Sequence, residues 1–254
     1  MITLKLGTSD PDVLYLQKFL GQDIDGIVGD KTQKALKDWQ KKKGLIADGI
    51  CGPNTWQMIL DETRDSKITE NSWKSLANKL GCDPIVLKAI KQVETGSKGA
   101  FDASDRPAIL FEAHLFWRNL QGVGKNPSKY YPSHTGILSK SWNRSLYKGG
   151  VKEWARLREA WGISRRAAIM SASYGFPQIL GQNFKDPFSF VAGCYMSEEE
   201  QLGYFCKFLE GNGFIPYLKS KNWAMIAKKY NGPAYAKNAY DRKLEQAYKK
   251  LGGK

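Results

Sequence analysis

Histidine is scarce in this chain: two residues, His114 and His134, among 254. Most zinc hydrolase sites need more imidazole than that. The four cysteines (Cys51, Cys82, Cys194 and Cys206) match no metal or redox spacing. They read as reduced thiols buried with apolar neighbours. A mixed His/Cys site stays open, but no metal or organic cofactor is implied. No apolar run approaches the ~20 residues that cross a bilayer. The opening stretch, MITLKLGTSDPDV, has no basic region followed by an apolar one, so it does not read as a signal peptide. The expectation is a soluble chain made in the cytoplasm, which something else must release if it acts elsewhere.

Acidic residues thin out along the chain. Residues 1–65 hold nine Lys/Arg and ten Asp/Glu, net −1, whereas residues 66–254 hold thirty and fifteen, net +15. A basic domain suits a polyanion such as nucleic acid, an anionic membrane or a bacterial wall. A merely solvated basic surface explains the charge equally well. No nucleic-acid-binding motif is present, so a nucleic-acid partner is not expected.

What the N-terminal part does contain is a repeat. DIDGIVGDKTQKAL (23–36) is echoed by IADGICGPNTWQMI (46–59), giving Asp-Gly-Ile-x-Gly-x-x-Thr from Asp25 and again from Asp48. Each copy reads as a glycine turn leading into a helix, with Thr32 and Thr55 in the opening turns and Pro53 at a helix start. Before them, SDPDVLYLQKFLG has a cap at Ser9 or Asp10 and a closing Gly21. This predicts a three-helix module over 1–62, a polar linker over 63–68 and a second domain over 69–254.

Helix signals dominate the second domain. Thr69 caps ENSWKSLANKL; Asp83 and Pro84 open IVLKAIKQVET, which Gly96 closes; Ser197 and Glu200 form a capping box. VKEWARLREAW, SRRAAIMSAS, NWAMIAKKY and YDRKLEQAYKKL follow the same periodicity. Only AILFE looks like a strand. The expected fold class is mainly α: a small three-helix binding domain, then a largely helical domain with a minor β element.

Glu94 breaks two local rules together. It lies in the last turn of its helix, at the negative end of the dipole, and it leans toward the apolar stripe of Val86, Ala89, Ile90 and Val93. Conflicts of this kind are expected at functional sites. Desolvation and the dipole would both raise its pKa. A glutamate protonated near neutral pH is what a glycosidase needs to protonate a leaving glycosidic oxygen.

VETG, SASYGFPQILG (171–181) and KKYNGPAYAK (228–237), in that order, resemble the signature segments of the goose-type lysozyme and lytic transglycosylase superfamily. GAFDASDRPAILFE, SASYGFPQILG and WAMIAKKYNGPAYAKNAYDRKL resemble more closely the N-acetylmuramidase domain of modular phage endolysins of Gram-negative hosts. The doubled motif resembles the peptidoglycan-binding-1 family of three-helix modules. These resemblances imply a lysozyme-like second domain beside a wall-binding module.

Carried over by position, Glu94 is the general acid, while Gln178 and Tyr174 border the cleft. Tyr230 and Asn231 orient the acid and the N-acetyl group. Gln178 could equally be a loop-tying amide, and Asn231-Gly232-Pro233 a turn. Glu112 is either the second catalytic carboxylate or the partner of a buried arginine such as Arg106; Asp102 and Asp105 are weaker rivals. The wall-facing surface is expected near Asp25, Gly26, Asp48 and Gly49, with Trp56 or Trp39, unless those tryptophans are core.

The resemblance implies hydrolysis of the β-1,4 bond between N-acetylmuramic acid and N-acetylglucosamine in peptidoglycan, after holin-dependent release from the host cytoplasm. A monomer is expected. The alternatives are a lytic transglycosylase using the same site and a non-catalytic wall-binding protein. The basic helix YDRKLEQAYKKL either packs against the fold or touches anionic outer-membrane lipid.

Overall fold

Pro11 has no amide hydrogen to lose, and Asp10 before it can accept one, so the chain turns into a helix here. Asp10 Oδ1 accepts from the Asp12 amide at 2.9 Å, and α1 runs Pro11–Phe19. The computed structural model describes residues 1–64, 67–95 and 99–253, without the side chains of Thr95 and Ala234. Two further helices, α2 (Asp30–Lys42) and α3 (Pro53–Thr63), complete the N-terminal module.

The sequence repeat is a repeat of hydrogen bonds. Gln17 Oε1 accepts from the amides of Asp25 and Gly26, and its Nε2 donates to Asp25 Oδ1 and the Ile27 carbonyl. Gln40 treats the second turn alike, accepting from Gly49 and donating to Asp48 Oδ1 and the Ile50 carbonyl. Both glutamines are buried. Each therefore satisfies turn backbone that would otherwise be orphaned in the core.

In the second domain, Thr69 caps α4 (Glu70–Leu80) by accepting from the Ser72 amide at 3.1 Å. Asp83 Oδ1 accepts from Ile85 at the start of α5 (Pro84–Thr95). The stop expected at Gly96 lies outside the described residues. Strand β1 (Ile109–Phe111) leads into α6 (Ala113–Gly122), and α7 (Lys152–Ile163) and α8 (Arg165–Met170) precede a hairpin of β2 (Ala172–Tyr174) and β3 (Ile179–Leu180). The chain ends in α9 (Pro187–Met196), α10 (Glu198–Gly211), α11 (Ile215–Lys219), α12 (Trp223–Asn231) and α13 (Tyr240–Lys250).

The mainly helical class is as the sequence implied. The sheet is larger than expected: three antiparallel strands in the order β1-β2-β3, with Ile109 opposite Tyr174 and Phe111 opposite Ala172. Strands of three and two residues are too short to show a period of two. Gly175 turns the hairpin at φ +66°, and a Cβ there would meet Gln201 Oε1 at 2.3 Å. That oxygen accepts from the Phe176 amide at 2.8 Å, so only glycine fits between the turn and α10.

The two parts share a buried ionic interface. Asp12, fully buried, accepts from Arg106 Nε and Nη2 at 2.8 and 2.7 Å, from Arg158 Nη2 at 3.0 Å and from the Tyr195 hydroxyl at 3.0 Å. Asp10 takes Arg158 Nε at 2.7 Å. Trp161 donates to Ser9 Oγ and lies against Gly26.

Arg106, one of the two alternatives for what Glu112 meets, is committed to Asp12 instead. The linker expected at 63–68 begins inside α3. Arg64 is anchored to the carbonyls of Tyr195 and Asp105, while Asp65 and Ser66 lie outside the described residues.

Helix α13 buries Leu244, Ala247 and Tyr248 and packs against α5 and α12. Its apolar face is spent on the fold, and Tyr248 donates to Asp83 Oδ2. No helix among the described residues is long and apolar enough to cross a membrane.

Candidate active site

Helix α5 packs against α13, its last turn is hydrogen-bonded to α12 through Asn231, and the Glu94 side chain is half-buried. Burial lifts its carboxyl from an ordinary 4.5 to about 7; the Asn231 hydrogen bond, which favours the ionised form, opposes that rise. Asn231 Nδ2 donates to Glu94 Oε1 at 3.2 Å. A carboxyl raised this far can give a proton near neutral pH and take one back.

Tyr230, beside Asn231, packs among Phe205, Phe208 and Phe214, and its hydroxyl donates to the Pro177 carbonyl at 2.5 Å. It fastens the end of α12 to the β2–β3 turn. Gln178 closes that turn at φ +47°, a conformation uncommon outside glycine. Its amide donates to the carbonyls of Ala108 and Gly175, and its oxygen accepts from Ser173 Oγ. Gln178 is thus a loop-tying amide. It also lines a cavity of about 210 Å³ with Phe101, Asp102, Ala108, Ile109 and Gly150.

Two expected site residues belong elsewhere. Tyr174 is fully buried and its hydroxyl donates to the Ile169 carbonyl, so it cannot border a cleft. Trp56 is 4% exposed, stacks on Tyr15 and donates to the Ile2 carbonyl; it is core, not a wall-facing aromatic. Trp39 packs edge-on against Phe19.

Glu112 has its own set of partners. It precedes α6, where the Tyr147 hydroxyl donates to its Oε2 at 2.6 Å and His114 Nδ1 stands 3.3 Å from the same oxygen. Among the described residues no hydrogen bond or ion pair joins it to Glu94, Gln178, Tyr230 or Asn231.

The two Asp-Gly turns face different ways. At the first, Gly26 is against Trp161 and Arg165 donates to the Asp25 carbonyl, while Asp25 itself is exposed beside an open concavity of about 290 Å³ that Asp23, Ile27 and Thr32 also line. The second borders an open concavity of about 470 Å³ lined by Asp48, Ile50, Pro53 and Ile46, the last 83% exposed. Gly49 itself is buried under Gln33 and Lys37. Another concavity, of about 450 Å³, joins Glu62 and Thr63 to α10, but its carboxylates Glu199 and Glu200 are exposed.

Sequence reading missed three supporting groups. Tyr240 sits beside Glu94; burial first, and the Glu94 charge second, push its hydroxyl up. Gln17 and Gln40 carry the turns. Glu153, fully buried, accepts from the amides of Lys148 and Gly149 and from Arg156, which pins the 147–150 loop to β1 through the Phe111 amide. Their partners are remote or in loops, so only the ordinary helical pattern of α7 was visible.

Residues 83–252 match the N-acetylmuramidase family model, and residues 12–59 match that of the peptidoglycan binding domain. The chain belongs to the N-acetylmuramidase family. Over 99% of both chains it is similar to the crystal structure of the Burkholderia AP3 phage endolysin, with 35% identity and a TM-score of 0.67. It is also 36% identical over 74 residues to the spore cortex-lytic enzyme of Bacillus cereus, a match covering 27% of this chain and 29% of that protein. A third similarity, 44% over 41 residues, is to an uncharacterized protein of Kitasatospora aureofaciens, covering 16% of this chain and 35% of that one.

Proposed function

We propose that the chain is a peptidoglycan-degrading endolysin that hydrolyses the β-1,4 bond between N-acetylmuramic acid and N-acetylglucosamine. The observation that carries this is Glu94: half-buried at a helix end, held near pKa 7 and oriented by Asn231. Protonated Glu94 gives its proton to the departing O4 of N-acetylglucosamine as the bond to C1 of muramic acid lengthens. Water adds to C1, and its proton returns to the Glu94 carboxylate. Asn231 steadies the carboxyl, and Tyr230 holds the β2–β3 turn, with Gln178, beside it.

Wall contact is assigned to the second repeat, at Asp48, because the apolar side chains Ile46 and Ile50 beside it are exposed. Production in a host cytoplasm followed by holin-dependent release fits the endolysin likeness.

A second reading is favoured by one observation. Glu112 Oε2 is engaged by the Tyr147 hydroxyl and faces His114, which leaves that oxygen less able to take a proton from water. A lytic transglycosylase needs one carboxylate, because the 6-hydroxyl of muramic acid attacks in place of water. Replacing Glu94 with Gln tests what both readings share. Wall clearing should fall to background while binding to sacculi persists, and undiminished clearing would remove Glu94 from the mechanism.

A further inference from the structure

Residues 113–152 contain seven Lys/Arg and no Asp or Glu. In this stretch the largest exposed side chain, Trp142, shows 58% of its surface yet is not loose. Its indole N–H donates to the Tyr147 hydroxyl at 2.8 Å, with the rings 6.4 Å apart and near edge-on. Tyr147 in turn donates to Glu112 Oε2 at 2.6 Å. The following residues, Lys148 and Gly149, are clamped by the buried Glu153. An exposed tryptophan whose polar edge is fixed from below presents an apolar ring face to solvent, with its ordering cost already met.

This tryptophan platform stands at one end of the stretch from Ala108 to Glu112, and Gln178 with its cavity stands at the other. Four extended steps separate them by about 13 Å. The loop carrying Tyr147 continues to Gly150, which lines that cavity. The stretch therefore has a turn tied to the Glu94 group at one end and an aromatic face at the other, a spacing of a few sugar rings.

We propose that Trp142, held by Tyr147 and Glu112, is a sugar-stacking subsite for the glycan strand, remote from the cleaved bond. The inference rests on the glycan-cleaving reading above. The ring takes the apolar face of an N-acetylated pyranose. The acid-free basic segment around it, including Lys140, Arg144 and Lys148, receives the carboxylates of the stem peptides. Glu112 thereby becomes a positioning residue for the platform.

The test compares full-length variants on purified peptidoglycan sacculi and on chitohexaose. In a Glu94→Gln background, Trp142→Ala should weaken chitohexaose binding about tenfold, and Trp142→Phe should recover most of it. With Glu94 intact, Trp142→Ala should raise KM on sacculi and leave kcat nearly unchanged. Glu112→Ala should weaken binding as Trp142→Ala does, with Glu112→Gln, which keeps an acceptor for Tyr147, restoring it.

Equal chitohexaose affinity with and without Trp142 would overturn the subsite. A Glu112→Gln variant that binds normally but does not turn over would make Glu112 catalytic and overturn its positioning role. Because the comparison is of binding, it decides the platform even if Glu94→Gln keeps turnover, an outcome that strikes only the assignment of the acid.

Discussion

Asn231 Nδ2 lies 3.2 Å from Glu94 Oε1, and this bond joins the end of α12 to the last turn of α5. It opposes the burial that raises the glutamate, so the two set the proton's availability between them. Removing the amide should let the carboxyl rise further. The alkaline limb of kcat/KM in Asn231→Ala should move to higher pH than in the parent, where it falls near 7. A limb that stays in place would mean that Asn231 does not tune the acid.

Glu94 also makes stability depend on pH. Its folded pKa is raised, so ionising it disfavours the folded state. The penalty is absent below the unfolded value of 4.5, grows as pH climbs to about 7, then stays constant. Glu94→Gln should therefore match the parent in acid and exceed it by about 3 kcal/mol above neutrality. Denaturant unfolding at pH 4 and pH 8 measures this, and an equal difference at both would contradict a raised pKa.

That the burial and raised carboxyl of Glu94 were legible in the sequence follows from how it breaks rules: a carboxylate at the wrong helix end, on the wrong edge of the stripe. Asn231 came through its motif, and the helices through caps such as Thr69 and Ser197, which are local. The interface was not legible. Asp10 and Arg158 are 148 positions apart, and nothing in either helix alone says that they meet. Tyr174 and Trp56 misled because an aromatic in a motif looks the same whether it faces a sugar or the core. The short strands β2 and β3 form because Gly175 can turn against Gln201, a contact that no period displays.

The buried interface predicts that the N-terminal module is a structural part of the enzyme. Asp12→Ala leaves Arg106 without its carboxylate in a buried site, which should cost about 3–5 kcal/mol. A truncated chain starting after Arg64 should be less stable still, because Arg106 and Arg158 lose both aspartates. Full stability in either, by thermal or urea unfolding, would show the interface to be dispensable.

Gln40 supports the wall-facing turn. Truncation to Ala leaves the Gly49 amide and the Ile50 carbonyl short of a partner, costing about 1–3 kcal/mol. Retention on sacculi should drop together with the module's thermal stability. Weakened retention in a variant of unchanged stability would instead give Gln40 a direct role at the wall.

The most direct measurement is mass spectrometry of borohydride-reduced fragments released from purified Gram-negative peptidoglycan. Hydrolysis led by Glu94 predicts fragments ending in reduced muramic acid, and none from Glu94→Gln. Anhydro-muramic ends would contradict attack by water, and reduced glucosamine ends would place the cleaved bond elsewhere.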